Sequence, residues 1–149
     1  MRNLGLKKDG TVVAWGGETI YGDATPPKGL SNVVAVAAGY NHSLALRKDG
    51  TVCGWGFNGG GQATGVPTIS DTHITNGTVT LEGEVLSNVV AIAASTEYSL
   101  ALKRDGTVVG WGRVCPKIPS GLTNVIAISA GESFCLAITT NSSSLEHKK

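Results

Sequence analysis

Few side chains stand where types and spacing could do chemistry. His42 and Ser43 are adjacent and Asp49 follows, the three residue types of a hydrolase triad. A nucleophilic serine needs a sharp strand-to-helix elbow, and no G-x-S-x-G surrounds Ser43. Ser99 recurs in the same local phrase without a histidine beside it, so the serine position reads as structural. Cys53, Cys115 and Cys135 are an odd set with neither a CxxC pair nor ligand spacing, which points to small buried hydrophobes and one loop thiol. His73 and His147 stand without cysteine or carboxylate at metal-ligand spacing. Glu82 and Glu84 flank Gly83 and read as a solvated turn. The Gly59, Gly60, Gly61 run lacks the Lys-Ser/Thr and the helix that a phosphate loop requires. Three Asn-x-Ser/Thr triplets, beginning at Asn41, Asn76 and Asn141, fit the glycosylation pattern, but no signal peptide gives them a reason to be used. These readings predict no catalytic residue, no metal and no cofactor.

Bulk properties narrow the partners. The 149 residues carry a formal net charge of +1 and only 15% charged side chains, so no basic field is present to hold a phosphate backbone. Nucleic acid is therefore not an expected partner. A run of 18 apolar residues is absent, which predicts a soluble chain without a membrane partner. Glycine contributes 21 residues and aromatics 5%, a composition of tight turns and short strands.

Recurrence organises the remainder. The decamer "KKDGTVVAWG" at 7–16 returns as "RKDGTVCGWG" at 47–56 and "KRDGTVVGWG" at 103–112. A second phrase, "LSNVVAVAAGYNHSLAL" at 30–46, returns at 86–102 and, as "LTNVIAISAGESFCLAI", at 122–138. Alternating residues on both sides of Asp-Gly at Asp9, Asp49 and Asp105 predict hairpins with type I′ turns. Four-stranded units of about 40–50 residues around an axis make a β-propeller. Small residues such as Ala35, Ala37 and Ala38 suit innermost strands, and Trp15, Trp55 and Trp111 suit the wedge between neighbouring units. The expected fold is all-β, a partial propeller of about three blades over 1–144. A long insertion at 58–85 interrupts the pattern, its "HITNGTVTL" reading as an extra hairpin closed by Asn76-Gly77. Residues 145–149 read as an appended tail outside the fold.

"NVVAVAAGYNH" followed by "SLALRKDGTVCGWG" resembles the repeat of the regulator of chromosome condensation family, and the resemblance runs over most of 4–138. It implies propeller blades used as binding surfaces. In that family some members exchange nucleotide on a small GTPase or bind chromatin, and a bacterial relative inhibits β-lactamases by laying a propeller face on the enzyme. Three return strands are too few for a closed ring, and each end of the chain holds an incomplete unit. A piece of a longer propeller, assembly with further copies and an open arc all fit. Unpaired strand edges favour assembly, and with it a homo-oligomer.

In a propeller the loops meet partners. Between the innermost strand and the next, His42, Tyr98 and Phe134 share one position, preceded by Asn41 and Glu97, with Tyr40, Thr96 and Glu132 varying beside them. These eight residues form the candidate face for a protein partner. The Gly- and Pro-rich connections after the tryptophan strands are expected on the opposite side, with Tyr21 and Phe57 as their exposed aromatics.

Overall fold

The computed structural model describes residues 2–16, 25–70 and 73–140. Tyr21, Asn141, His147 and the tail 145–149 lie outside the described residues. Alternating β-branched and small side chains between turns produce short antiparallel strands throughout. Strands β1 (Arg2–Leu6) and β2 (Val12–Gly16) pair with each other. Next come β3 (Val33–Ala38), β4 (His42–Arg47), β5 (Val52–Phe57) and β6 (Ile74–Thr78), a four-stranded sheet in that order. A small ribbon of β7 (Thr80–Leu81) and β8 (Glu84–Val85) precedes the three-stranded sheet of β9 (Val89–Ala94), β10 (Tyr98–Lys103) and β11 (Val108–Gly112). Finally β12 (Val125–Ala130) pairs with β13 (Cys135–Thr139). The ribbon apart, these are successive blade sheets of a partial, all-β propeller.

The Asp-Gly hairpins form where expected, but their turn differs. Positive φ occurs at Gly10, Gly50 and Gly106 (78°, 84° and 82°), while Asp9, Asp49 and Asp105 keep negative φ. Gly10 N–H donates to the Lys7 carbonyl at 3.0 Å and Lys7 N–H to the Thr11 carbonyl at 2.9 Å. This is a three-residue loop, a type I turn followed by a left-handed glycine bulge, in place of type I′. The aspartate explains the preference, because it acts outside its own backbone. Asp9 accepts from Thr11 N–H at 3.0 Å and from Thr11 Oγ1 at 2.6 Å, and Asp49 with Thr51 and Asp105 with Thr107 repeat the arrangement. The threonine hydroxyls, then the threonine N–H groups, hold all three carboxyls below the ordinary aspartate range.

The same turns join the blades. Val33 N–H donates to the Gly10 carbonyl, Val89 N–H to Gly50 and Val125 N–H to Gly106, each at 3.0 Å. The residue before each valine, Asn32, Asn88 or Asn124, is left-handed, with φ of 56–59°. Its backbone lies 3.1–3.4 Å from where a Cβ on the turn glycine would be, so the contact needs a bare glycine. One element thus explains why both "DGT" and "NV" recur: each turn receives the first innermost-strand residue of the next unit.

Asn76-Gly77 does not close a hairpin. Both residues lie inside β6, with Asn76 opposite Trp55 and Gly77 opposite Gly54. Pairing there satisfies the outer edge of β5, whose backbone groups would otherwise lie open. The additional hairpin is the β7–β8 ribbon, and its turn is Glu82-Gly83, both left-handed at φ 54° and 85°. Glu82 and Glu84 are exposed, as a solvated turn requires.

Tryptophan marks the wedges. Trp55 is buried with Val33 and Ala45 against Leu4 and Val12 of the preceding sheet. Trp111 is buried with Val89 and Ala101 against Leu44, Leu46 and Val52. Each ring therefore fills the space toward the preceding blade. Trp15, at the same repeat position in the first sheet, is 55% exposed, against 1% for Trp55 and 5% for Trp111. At the far end Leu136 and Ile138, which stand where Leu100 and Leu102 stand in β10, are exposed as well.

Candidate partner-binding face

Strand direction decides which loops share an end. His42 pairs with Gly56 and Tyr98 with Gly112, so the loops entering β4 and β10 lie beside those leaving β5 and β11. Phe57 N–H donates to the Asn41 carbonyl at 2.8 Å and Arg113 N–H to the Glu97 carbonyl at 3.0 Å. The Gly- and Pro-rich connections therefore lie on the same end as the candidate loops, and the expectation of opposite sides is corrected. The reason is parity: one antiparallel return brings the chain back to the end from which β4 departed. The Asp-Gly turns occupy the other end.

Hydrogen bonds join the candidate loops from blade to blade. Tyr40 N–H donates to the Ser95 carbonyl at 3.1 Å. Ser95 Oγ donates to the Gly131 carbonyl, and Tyr98 Oη lies 2.8 Å from that oxygen and 2.6 Å from the Phe134 carbonyl. Burial pushes the Tyr98 hydroxyl above the ordinary tyrosine range, which keeps it a donor. Tyr98 and His42 are fully buried, the latter with Nε2 2.8 Å from Ser99 Oγ. Neither side chain can touch a partner's surface, so the shared aromatic position is a plug at those two sites. The short reach from the strand entrance into the interblade space puts them there. Ser43 is also buried, on a strand, as a structural serine.

What remains outside is a smaller set. Tyr40 is 70% and Phe134 59% exposed, Glu132 is exposed, and Asn41, Thr96 and Glu97 are half-buried. Phe57 is half-buried, its ring 5.9 Å from that of His73. Ile69, in the long loop between β5 and β6, is 98% exposed and was not singled out by sequence reasoning. An isoleucine between Thr68 and Ser70 in a Pro-containing loop was the signal that could have found it.

That long loop is itself built on Asn58. Its side-chain amide donates to Thr64 Oγ1, the Val66 carbonyl and Thr68 Oγ1 at 2.7–2.9 Å, while its Oδ1 accepts from the N–H groups of Ala63 and Thr64. Gln62 follows, buried, and its carbonyl accepts from Ser99 Oγ at 2.8 Å and Trp111 Nε1 at 3.0 Å. The glycine run is thus a close turn around a buried amide, docked on the next blade. Among the described residues no three His, Cys, Asp or Glu side chains gather where they could hold a metal.

Residues 33–62, from β3 through this buried glutamine, match the regulator of chromosome condensation (RCC1) repeat. The repeat at 33–62 is of the RCC1 type. Prp20p from Saccharomyces cerevisiae is similar in structure, with a TM-score of 0.75 and 23% identity over 94% of this chain and 41% of its own. A second structure of that yeast RCC1 protein, bound to Kap60, gives 0.72 with 25% identity, covering 93% of this chain and 39% of its own. Human WBSCR16 gives 0.69 with 25% identity, covering 93% and 42%. The chain spans about two fifths of the length of these structures. No curated protein sequence matches it.

Proposed function

We propose that this RCC1-type chain is a non-catalytic, protein-binding part of a propeller scaffold, and that the contact lies on the loop end bearing Tyr40, Ile69 and Phe134. The observation that carries the reading is the run of hydrogen bonds from Tyr40 through Ser95 to Gly131. Loops fixed in this way lose little further freedom when a partner docks, so exposed aromatic and aliphatic anchors on them convert more of their burial into affinity. Prp20p is described as binding Gsp1p and histones, and the yeast RCC1 protein as bound to Kap60. Gsp1p is therefore the first protein to test, with nucleotide exchange on a small GTPase, as the resemblance implies, as the finer reading. Histones fit less well with a net charge of +1. Capping of an enzyme, as the resemblance also implies, would use the same end.

In a direct binding titration against Gsp1p, Tyr40→Ala and Phe134→Ala are each expected to weaken the complex at least about tenfold. Thermal melting should stay unchanged, because neither ring is in the core. Unaltered affinity in both variants would move the contact elsewhere on the scaffold.

A second reading, assembly with further copies, is favoured by the exposed Trp15 at one end and exposed Leu136 and Ile138 at the other. Their counterparts meet twice within the chain, Trp55 with Leu4 and Trp111 with Leu44 and Leu46, so the two ends are complementary in kind. Sedimentation equilibrium is expected to show concentration-dependent association that Trp15→Ser reduces. A monomer over the whole range would remove this reading and leave the first untouched.

A further inference from the structure

Two thiols occupy related places in the interblade space of the β9–β11 and β12–β13 sheets. In the preceding junction the loop main chain lies on the strand glycine: a Cβ on Gly54 would collide with the Ala63 carbonyl. Beside Ala63, the Gln62 carbonyl receives Ser99 Oγ from β10. One junction further on, the equivalent glycine is Gly110, and the atom lying on it is Cys115 Sγ. The β13 residue at the repeat position of Ser99 is Cys135. Where the earlier junction has a hydroxyl meeting a loop carbonyl, this junction carries a cysteine at the strand position and another in the loop.

Other contacts agree with that placement. Cys115 shares the Gly110 site with Leu100 Cδ2, on the side of β10 from which Tyr98 Oη reaches the Phe134 carbonyl. Cys135 is the next residue after Phe134. Burial raises the Cys115 thiol above its ordinary value, and charge on Cys135 raises it further, an influence that weakens with distance. Both thiols are half-buried, so a small reagent can reach them, while Cys53 is enclosed in β5 opposite Thr78 of β6.

We propose that Cys115 and Cys135 form a reversible disulfide that staples the loop after β11 to β13, making the junction a redox-modifiable site. The oxidant is a low-molecular-weight disulfide. A thiolate of one cysteine attacks it, forming a mixed disulfide and releasing one small thiol. The second cysteine, losing its proton, then displaces the other small thiol, so that two protein thiols are oxidised by two electrons as one small disulfide is reduced to two thiols. Because the exchange needs a thiolate, and both burial and the neighbour hold Cys115 protonated, it proceeds faster at mildly alkaline pH.

The test uses the full chain, incubated with oxidised glutathione at about pH 8, quenched with an alkylating reagent in denaturant and mapped by proteolysis and mass spectrometry without reduction. The expected product is a single chain lighter by two hydrogens, with the Cys115 and Cys135 peptides linked across a cut at Lys117, and Cys53 alkylated. Dithiothreitol should reverse the link, and the melting temperature should be higher in the linked form. Cys115→Ala introduces the residue found over Gly54 and Cys135→Ser the residue found in β10, so both variants should fold and neither should form the link. Stable glutathione adducts without it, links between chains, or no reaction would overturn the proposal.

Discussion

Trp111→Ala is expected to cost about 3–5 kcal/mol of folding free energy, the range for removing a large buried aromatic. Trp15→Ala, the same substitution at the same repeat position, should cost less than about 1 kcal/mol, as exposed sites do. Trp111 is 5% exposed, wedged among Leu44, Leu46, Val52 and Val89, and its Nε1 donates to the Gln62 carbonyl. Its loss opens a cavity between two sheets and takes one of two donors from a buried carbonyl. Trp15 has the solvent on the side where Trp111 has a sheet. Guanidinium unfolding midpoints of the two variants measure the contrast directly. Equal destabilisation would mean that the tryptophans do not act as wedges toward the preceding blade.

Asn58→Ala should be the most damaging single change outside a strand, at about 3 kcal/mol. Five hydrogen bonds converge on that one side chain, and its removal leaves the Ala63 and Thr64 N–H groups and the Val66 carbonyl to find other partners in a loop that is partly sealed. Asn58→Asp should be no better: it keeps the acceptor and removes three donor contacts, while placing a carboxylate in a buried site. Because Gln62 in the same loop touches Trp111, the variant should also shift Trp111 fluorescence before global unfolding. Wild-type stability in Asn58→Ala would show that the loop closes without its amide.

Much of this fold was legible because repetition makes each residue testify more than once. Three copies of Asp-Gly between alternating segments specified three hairpins, and three aligned tryptophans specified wedges. The errors came where a local signal met a longer-range demand. Asn76-Gly77 has the chemistry of a turn, yet the open edge of β5 needed a partner and took those residues as strand. Asp-Gly implied a hairpin without fixing its loop length, which the Asp9 to Thr11 hydrogen bonds and the contact of Gly10 with Asn32 decide. The site was less legible. His42, Tyr98 and Phe134 share one position in the repeat, but burial depends on whether a neighbouring loop covers it, and the pattern of types carries no such information. Asn58 and Gln62 escaped notice because buried polar residues in a glycine-rich segment look like solvated ones until their partners are known.

The Gly10–Val33, Gly50–Val89 and Gly106–Val125 contacts have the same atoms and the same length. Each unit therefore presents a socket in its hairpin and a plug in its first strand, and the fitting asks only for a bare glycine on one side and a left-handed asparagine before the valine on the other. A duplicated segment arrives already able to couple to the units before and after it. Lengthening such an array is a matter of copying, and the variation that distinguishes one unit from another is free to collect at the opposite end.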